Sequence, residues 1–155
     1  ADGAWRVRLT LDKAGLIDVQ AFPLDDAPPP TPRLARMAAA RIDSADPLRR
    51  HKTTARQLYD AALRDLEPRS PIFDVVFLNE RSEVAEGARS NVFVERDGCL
   101  LTPPLSSGAL PGVLRCALLA SGRAREAVLQ PNDLQQGFWL GNALRGLLPV
   151  RLVAR

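Results

Sequence analysis

Apolar and polar residues alternate at the start of the chain: Trp5, Val7, Leu9 and Leu11 are separated by Arg6, Arg8 and Thr10. A period of two is that of a strand with one face buried. A second alternating run, "LIDVQAF", follows "DKAG", so the two predict a β-hairpin turning near Ala14 and Gly15. "PLDDAPPPTPR" then holds five of the chain's 13 prolines. Proline has no N–H for a ladder, so this segment reads as an extended connector. "LARMAAARI" fits strand and helix equally, and "DSADPLRR" is loop-like with a turn at Asp46 and Pro47.

From Thr53 to Leu66 the period becomes helical, with Leu58, Ala61, Ala62 and Leu66 on one face and Pro68 and Pro71 as the stop. "FDVVFLN" is a buried-strand run. "NERSEVAEGARSN" turns back into "NVFVER", and Asp97–Gly98 turns into "CLLT", so this region reads as one β-meander. The Pro/Gly/Ser loop "TPPLSSGALPG" delivers the chain to a helix, "VLRCALLAS", closed by Gly122. A strand "REAVL", a helical turn "PNDLQQ" and two strands within "GFWLGNALRGLLPVRLVA" follow. Strands and helices do not alternate regularly, which predicts an α+β fold. No internal repeat is present.

Composition narrows the classes. The 155 residues, 46% hydrophobic and 25% charged, suit one globular domain. The net charge of +3 is spread among 18 acidic residues and aromatics are only 5%, which argues against a nucleic-acid partner. No apolar run approaches the roughly 20 residues of a membrane helix, and no leader pattern opens the chain, so the expectation is a cytoplasmic protein. Cys99, Cys116 and the single His51 offer no disulfide framework and no metal-ligand set. The chain starts without methionine directly in a strand-like pattern, as a piece of a larger polypeptide would.

Four features carry candidate chemistry. Only Lys13 and Lys52 supply lysine among 21 basic residues, and Lys52 follows Arg49, Arg50 and His51. A neighbouring cation or burial turns such an amine into a nucleophile toward carbonyls; the plainer alternative is a surface lysine at a helix start. Glu86 in "EVAEGARSN" suits a buried carboxylate facing a heteroaromatic nitrogen, or else a loop acid paired with Arg89. "LPGVLR" combines Gly112 with free amides at Val113 and Leu114, an anion site or simply a helix-starting turn. In "WLGNALRG", Asn142 and the Ala143 amide could clamp the same anion or cap a turn.

In this order the four segments resemble the fold-type IV family of pyridoxal-phosphate enzymes, which includes branched-chain and D-amino-acid aminotransferases and 4-amino-4-deoxychorismate lyase. The resemblance runs from about Arg49 to the C-terminus. It implies the large C-terminal domain of that fold, a mixed sheet or open barrel with flanking helices, over residues 36–155. Residues 28–35 would be a linker, and residues 1–27 the end of a smaller N-terminal domain represented only by its hairpin. The implied cofactor is pyridoxal 5′-phosphate, linked to Lys52, with Glu86 at its pyridine nitrogen, Ser90 and Asn91 beside it, and Gly112, Val113, Leu114, Asn142 and Ala143 around its phosphate. Arg6, Arg8 and Arg145 are the implied substrate contacts. No metal is implied, and the partners would be a small-molecule substrate and a second copy in a homodimer.

"TPPL", "LPGVLR" and "GNALRGLLPV" look most like the lyase, in particular a lyase domain fused behind aminodeoxychorismate synthase component I. The implied reaction converts 4-amino-4-deoxychorismate to 4-aminobenzoate and pyruvate, with Lys52 as base and then acid. A branched-chain or D-amino-acid aminotransferase on the same scaffold and a catalytically silent fragment are the alternatives. The family's usual Asn three residues after the lysine is Ala55 here.

Overall fold

The opening alternation becomes a two-stranded ladder. The computed structural model describes residues 3–24, 32–66 and 70–153, and the chain divides into two compact units, Ala1–Pro30 and Thr31–Arg155. The first is a hairpin of β1 (Trp5–Leu11) and β2 (Ile17–Pro23). Its antiparallel register sets Trp5, Val7, Leu9 and Leu11 opposite Pro23, Ala21, Val19 and Ile17, so one face is wholly apolar. Asp12 Oδ1 fixes the turn by accepting from the amides of Ala14 and Leu16 at 2.8 and 2.9 Å. Residues 25–31, most of the proline-rich connector, and the Pro68 helix stop lie outside the described residues.

The second unit is built on one sheet of eight strands in the order β5-β4-β3-β10-β9-β6-β7-β8. "LARMAAARI", which fits either element, is strand β3 (Arg33–Ile42), because it lies between two parallel neighbours, β4 (Ile72–Asn79) and β10 (Gly146–Leu152). The remaining strands are β5 (Val84–Gly87), β6 (Asn91–Arg96), β7 (Cys99–Thr102), β8 (Ala124–Glu126) and β9 (Phe138–Asn142). Short 3-10 turns occupy Pro47–Arg50, Leu105–Ser107 and Pro131–Leu134.

The expected continuous meander is divided. β4 pairs with β5 and β6 with β7, but β6 takes β9 as its other neighbour and β5 is an end strand of the sheet order. The cause is local: Gly87 N bonds to Ser90 O at 2.7 Å and Ala88 N returns to Val75 O at 2.8 Å, which carries the chain off the β4–β5 ladder. The sheet curls so that β5 and β6 approach one another.

Helix α1 (Gln57–Arg64) begins later than the expected Thr53. Ahead of it the Thr53 hydroxyl accepts from Ala55 N at 3.2 Å and Arg56 N bonds to Thr54 O at 2.9 Å. Such local bonds compete with the helix, and they leave Lys52 in a loop. The buried residue of α1 is Tyr59, with Leu58, Ala62, Leu63 and Leu66 packing beside it. Helix α2 (Val113–Ala120) packs through Leu114, Leu118 and Leu119 near Phe93 and Trp139.

β4 shows why its run is almost wholly apolar. Val75 and Phe77 join the cluster under α1, whereas Val76 points into the main cluster with Val84, Val92, Leu134, Leu140 and Val150. Both faces are buried, as expected of a strand with a parallel neighbour. Phe77 is fully buried, a contribution of about 2–3 kcal/mol from apolar burial.

Candidate active site

Glu86 is the centre of the site. Strand β5 holds it 7% exposed rather than in an open loop, and it makes no ion pair with Arg89. Its Oε1 accepts from the Tyr59 hydroxyl, which in turn accepts from Arg49 Nη1. Its Oε2 accepts from Leu110 N at 2.9 Å. Burial pushes the Glu86 pKa up, while Tyr59, Leu110 and the charges of Arg49 and Arg56 pull against that rise. Burial and the adjacent carboxylate raise the Tyr59 pKa, so the hydroxyl stays a donor. The Tyr59 ring stands edge-on to Phe77 with centroids 4.9 Å apart. A carboxylate has about four lone-pair sites, so Glu86 keeps acceptor capacity beyond these two bonds.

The segment after Glu86 reaches several other parts of the unit. Asn91 Nδ2 donates to Leu110 O at 2.9 Å, which binds the loop before α2 to β6. The approach is so close that a Cβ at Gly112 would lie 2.2 Å from Asn91 Oδ1. No side chain caps α2, so the Val113 and Leu114 amides stand free of intrahelical acceptors. Gly141 of β9 also meets Leu114 closely, with 2.9 Å from an added Cβ to Leu114 Cδ2. Buried Arg115 fixes the helix from beneath by donating to Pro103 O at 2.9 Å and to Glu126.

Asn142 caps the β9–β10 turn, its Oδ1 accepting from the amides of Leu144 and Arg145 at 3.1 and 3.0 Å. Its Nδ2 donates to Arg89 O at 3.2 Å, so the turn is tied to the loop after Glu86. The Ala143 amide has no partner among the described residues. Burial raises the Asp74 pKa and the neighbouring Ser90 hydroxyl pulls weakly against that rise, yet this hydroxyl meets no full hydrogen-bond geometry and is buried without a hydrogen-bond partner.

Lys52 is exposed and makes no hydrogen bond or ion pair among the described residues. Its loop is anchored on both sides to the Glu86 region. Arg49 bonds to Tyr59 on one side, and on the other Arg56 Nη2 donates to Ala88 O at 2.6 Å. Arg6 and Arg8 belong to the hairpin unit, where Arg6 stacks on Phe22 at 4.6 Å and Arg8 reaches Gln20 at 3.4 Å. Arg145 is exposed at the β9–β10 turn. A separate depression lined by Arg96, Asp133, Gln136, Trp139, Pro149 and Arg151 contains none of these groups.

Eight strands, two short helices, and the Glu86 and α2 elements in this order define a recognisable arrangement. The sequence pattern of the amino-transferase class IV family matches residues 2–153. The chain belongs to that family. It is 33% identical over 136 residues to a Schizosaccharomyces pombe protein provisionally named an aminodeoxychorismate lyase, covering 85% of this chain and 59% of that one. It is 36% identical over 86 residues to the branched-chain-amino-acid aminotransferase of Escherichia coli K12, covering 50% of this chain and 28% of that one. The solved structure of a provisionally named amino-acid aminotransferase from Mesorhizobium loti superposes with a TM-score of 0.89 at 41% identity, over 96% of this chain and 73% of that one. The chain spans 59% of the Schizosaccharomyces pombe protein's length and 28% of the Escherichia coli enzyme's.

The class IV family depends on pyridoxal phosphate. The residues present fit that group: a buried carboxylate with spare acceptor capacity, an uncapped helix start, a glycine that no side chain could replace without displacing Asn91, and an orphaned Ser90 hydroxyl. Sequence patterns alone pass over Tyr59, Arg49 and the Leu110 amide as partners of Glu86. The available signal was that the chain's single tyrosine sits next to Leu58 on the apolar side of a helix, where its hydroxyl requires a partner.

No helix among the described residues is long and apolar enough to cross a membrane. Among them, too, no three potential ligands gather as a metal site, and Cys99 and Cys116 are free.

Proposed function

We propose that this chain carries the cofactor half of a pyridoxal-phosphate lyase that releases pyruvate from 4-amino-4-deoxychorismate, working as a homodimer within a longer polypeptide. The observation that carries the reading is the Arg49–Tyr59–Glu86–Leu110 chain, a buried carboxylate held in one orientation by two donors. The lyase assignment draws further support from the similarity to the Schizosaccharomyces pombe protein over 85% of the chain.

When bound, the cofactor supplies an electron sink for the carbon that bears the substrate amine. Lys52 would hold the cofactor, and its amine would accept the proton from the amine-bearing carbon and return one to the departing pyruvate. Glu86, oriented by the Tyr59 hydroxyl and the Leu110 amide, would favour a protonated pyridine nitrogen through its negative charge. The Val113, Leu114 and Ala143 amides and the Asn142 turn would hold the phosphate, with the helix dipole favouring its charge. Ser90 and Asn91 would be further contacts to the cofactor.

An aminotransferase is the second reading, favoured by the 41% identity to the Mesorhizobium loti protein. Both use the same first proton transfer and diverge afterwards. Pyruvate release from 4-amino-4-deoxychorismate, measured beside amino transfer to 2-oxo acids, separates them. The expected result is pyruvate release with little transfer; transfer without pyruvate release overturns the lyase.

A further inference from the structure

We propose that Asp74 is a positioning residue for the cofactor: from beneath the Gly87–Ser90 turn it fixes the spacing of Glu86 and Asn91, and through them the start of α2. This rests on the reading of Glu86 and α2 as the cofactor site and adds the side chain that keeps those two parts in register.

Asp74 lies on β4, on the same face as Val76 of the main cluster. It is fully buried and forms no ion pair among the described residues. Its Oδ1 accepts from Val75 N at 2.8 Å, and its Oδ2 accepts from Arg89 N, within the turn, at 3.2 Å. The carboxylate fits closely under the turn: a Cβ at Gly87 would lie 2.7 Å from Asp74 Oδ2 and 3.1 Å from Ser90 O. Burial pushes the Asp74 pKa up, and the Val75 amide, the Arg89 charge and the Ser90 hydroxyl pull against that rise. A buried acid without a cationic partner is an unfavourable way to fill a core position. What it supplies that an apolar residue could not is an acceptor for the turn.

The two ends of the cofactor site meet at this turn. Glu86 precedes it and Asn91 follows it, and both grip one residue. Glu86 Oε2 accepts from Leu110 N and Asn91 Nδ2 donates to Leu110 O, each at 2.9 Å. Leu110 stands two residues before Gly112, the N-cap of α2, which itself closes on Asn91. A shift of the turn therefore moves Glu86 against Asn91 and pulls on the helix start. Two other side chains hold the turn, Arg56 on Ala88 O at 2.6 Å and Asn142 on Arg89 O at 3.2 Å. Both donate to carbonyls, so neither can replace Asp74 as the acceptor for the Arg89 amide.

The test compares Asp74→Asn and Gly87→Ala with a control, Val150→Ala, which trims a buried residue of the main cluster. Asn keeps the shape of Asp but sets an NH2 group against one of the two amides, and Ala at position 87 pushes on the carboxylate directly. Cofactor affinity is read from visible absorbance, and the setting of the bound cofactor from its circular dichroism, both well below each variant's Tm. Asp74→Asn and Gly87→Ala should each bind pyridoxal phosphate about tenfold more weakly, with less dichroism per bound cofactor. Val150→Ala should lower Tm yet change affinity less than about threefold. Folded Asp74→Asn with wild-type affinity and dichroism, or with losses no greater than those of Val150→Ala, overturns the proposal. Backbone hydrogen exchange in wild type gives an arm that needs no variant: the Arg89 amide should exchange at least about tenfold more slowly once cofactor is bound. An unprotected Arg89 amide that ignores the cofactor overturns the proposal even if neither turn variant folds. Wild-type protein that takes up no cofactor contradicts the cofactor reading instead. Arg89 exchange in Asp74→Asn then decides whether Asp74 holds the turn, and a rate unchanged from wild type shows that it does not.

Discussion

The Tyr59 hydroxyl is one of the two donors that orient buried Glu86. Replacing Tyr59 with Phe keeps the ring against Phe77 but removes the hydroxyl between Arg49 and Glu86. The buried carboxylate then loses one of its two donors, at a cost of about 1–3 kcal/mol in stability. The Tyr59 bond opposes the upward push of burial on the Glu86 pKa, so in Tyr59→Phe the carboxyl protonates at higher pH. On the proposed role of Glu86 at the pyridine nitrogen, cofactor affinity followed by absorbance against pH should fall off at higher pH than in wild type. An unchanged acid limb would show that Tyr59 is mere packing. The burial of Glu86 was one of two readings open from the sequence, which set it between two strands where the structure sets it within β5. Its partners were not legible, because Arg49, Tyr59 and Leu110 converge only through the curl of the sheet.

At the scale of elements, the β4–β5 turn clamps the loop that leads to α2. Glu83 accepts from Arg81, from Asn79 at 2.7 Å and from Ser107 at 2.8 Å, while Arg81 also reaches Ser106 O at 2.7 Å. The bond from Arg81 first, then those from Asn79 and Ser107, holds the Glu83 carboxyl at about 2, against an ordinary 4.5. A lowered acid stabilises the fold above its unfolded pKa and loses that contribution as pH falls toward the folded value. Glu83→Gln should therefore lower Tm by about 2–4 °C near neutral pH, a modest effect because the pair lies near solvent. The difference should shrink as pH drops from 4.5 toward 2, and calorimetry across that window checks it. Gly108 belongs to the same clamp: its φ of 93° and an added Cβ only 2.6 Å from Ile42 Cδ1 exclude other residues. Buried strand β4 and helix α2 were legible from their runs and bounds. The late start of α1 was not, because Thr53 and Thr54 bond locally where the apolar period already reads as helix.

Across the whole molecule, the mixed α+β order was legible from irregular alternation, but the route of the sheet was not. A meander and the observed order share the same hydrophobic pattern, and the choice between them rests on a four-residue turn at Gly87–Ser90 that hands β6 to β9. That hand-over matters for function, since it brings the Glu86 strand, the α2 start and the Asn142 turn into one set of contacts. The Lys52 loop is pinned to this set by Arg49 and Arg56. In the proposed function, Lys52 is the attachment point of the cofactor. Purified protein supplied with pyridoxal phosphate should show a visible absorbance band that survives removal of free cofactor, and Lys52→Ala should lose it. A band of equal strength in Lys52→Ala, or a wild-type protein that stays colourless, would contradict attachment at Lys52.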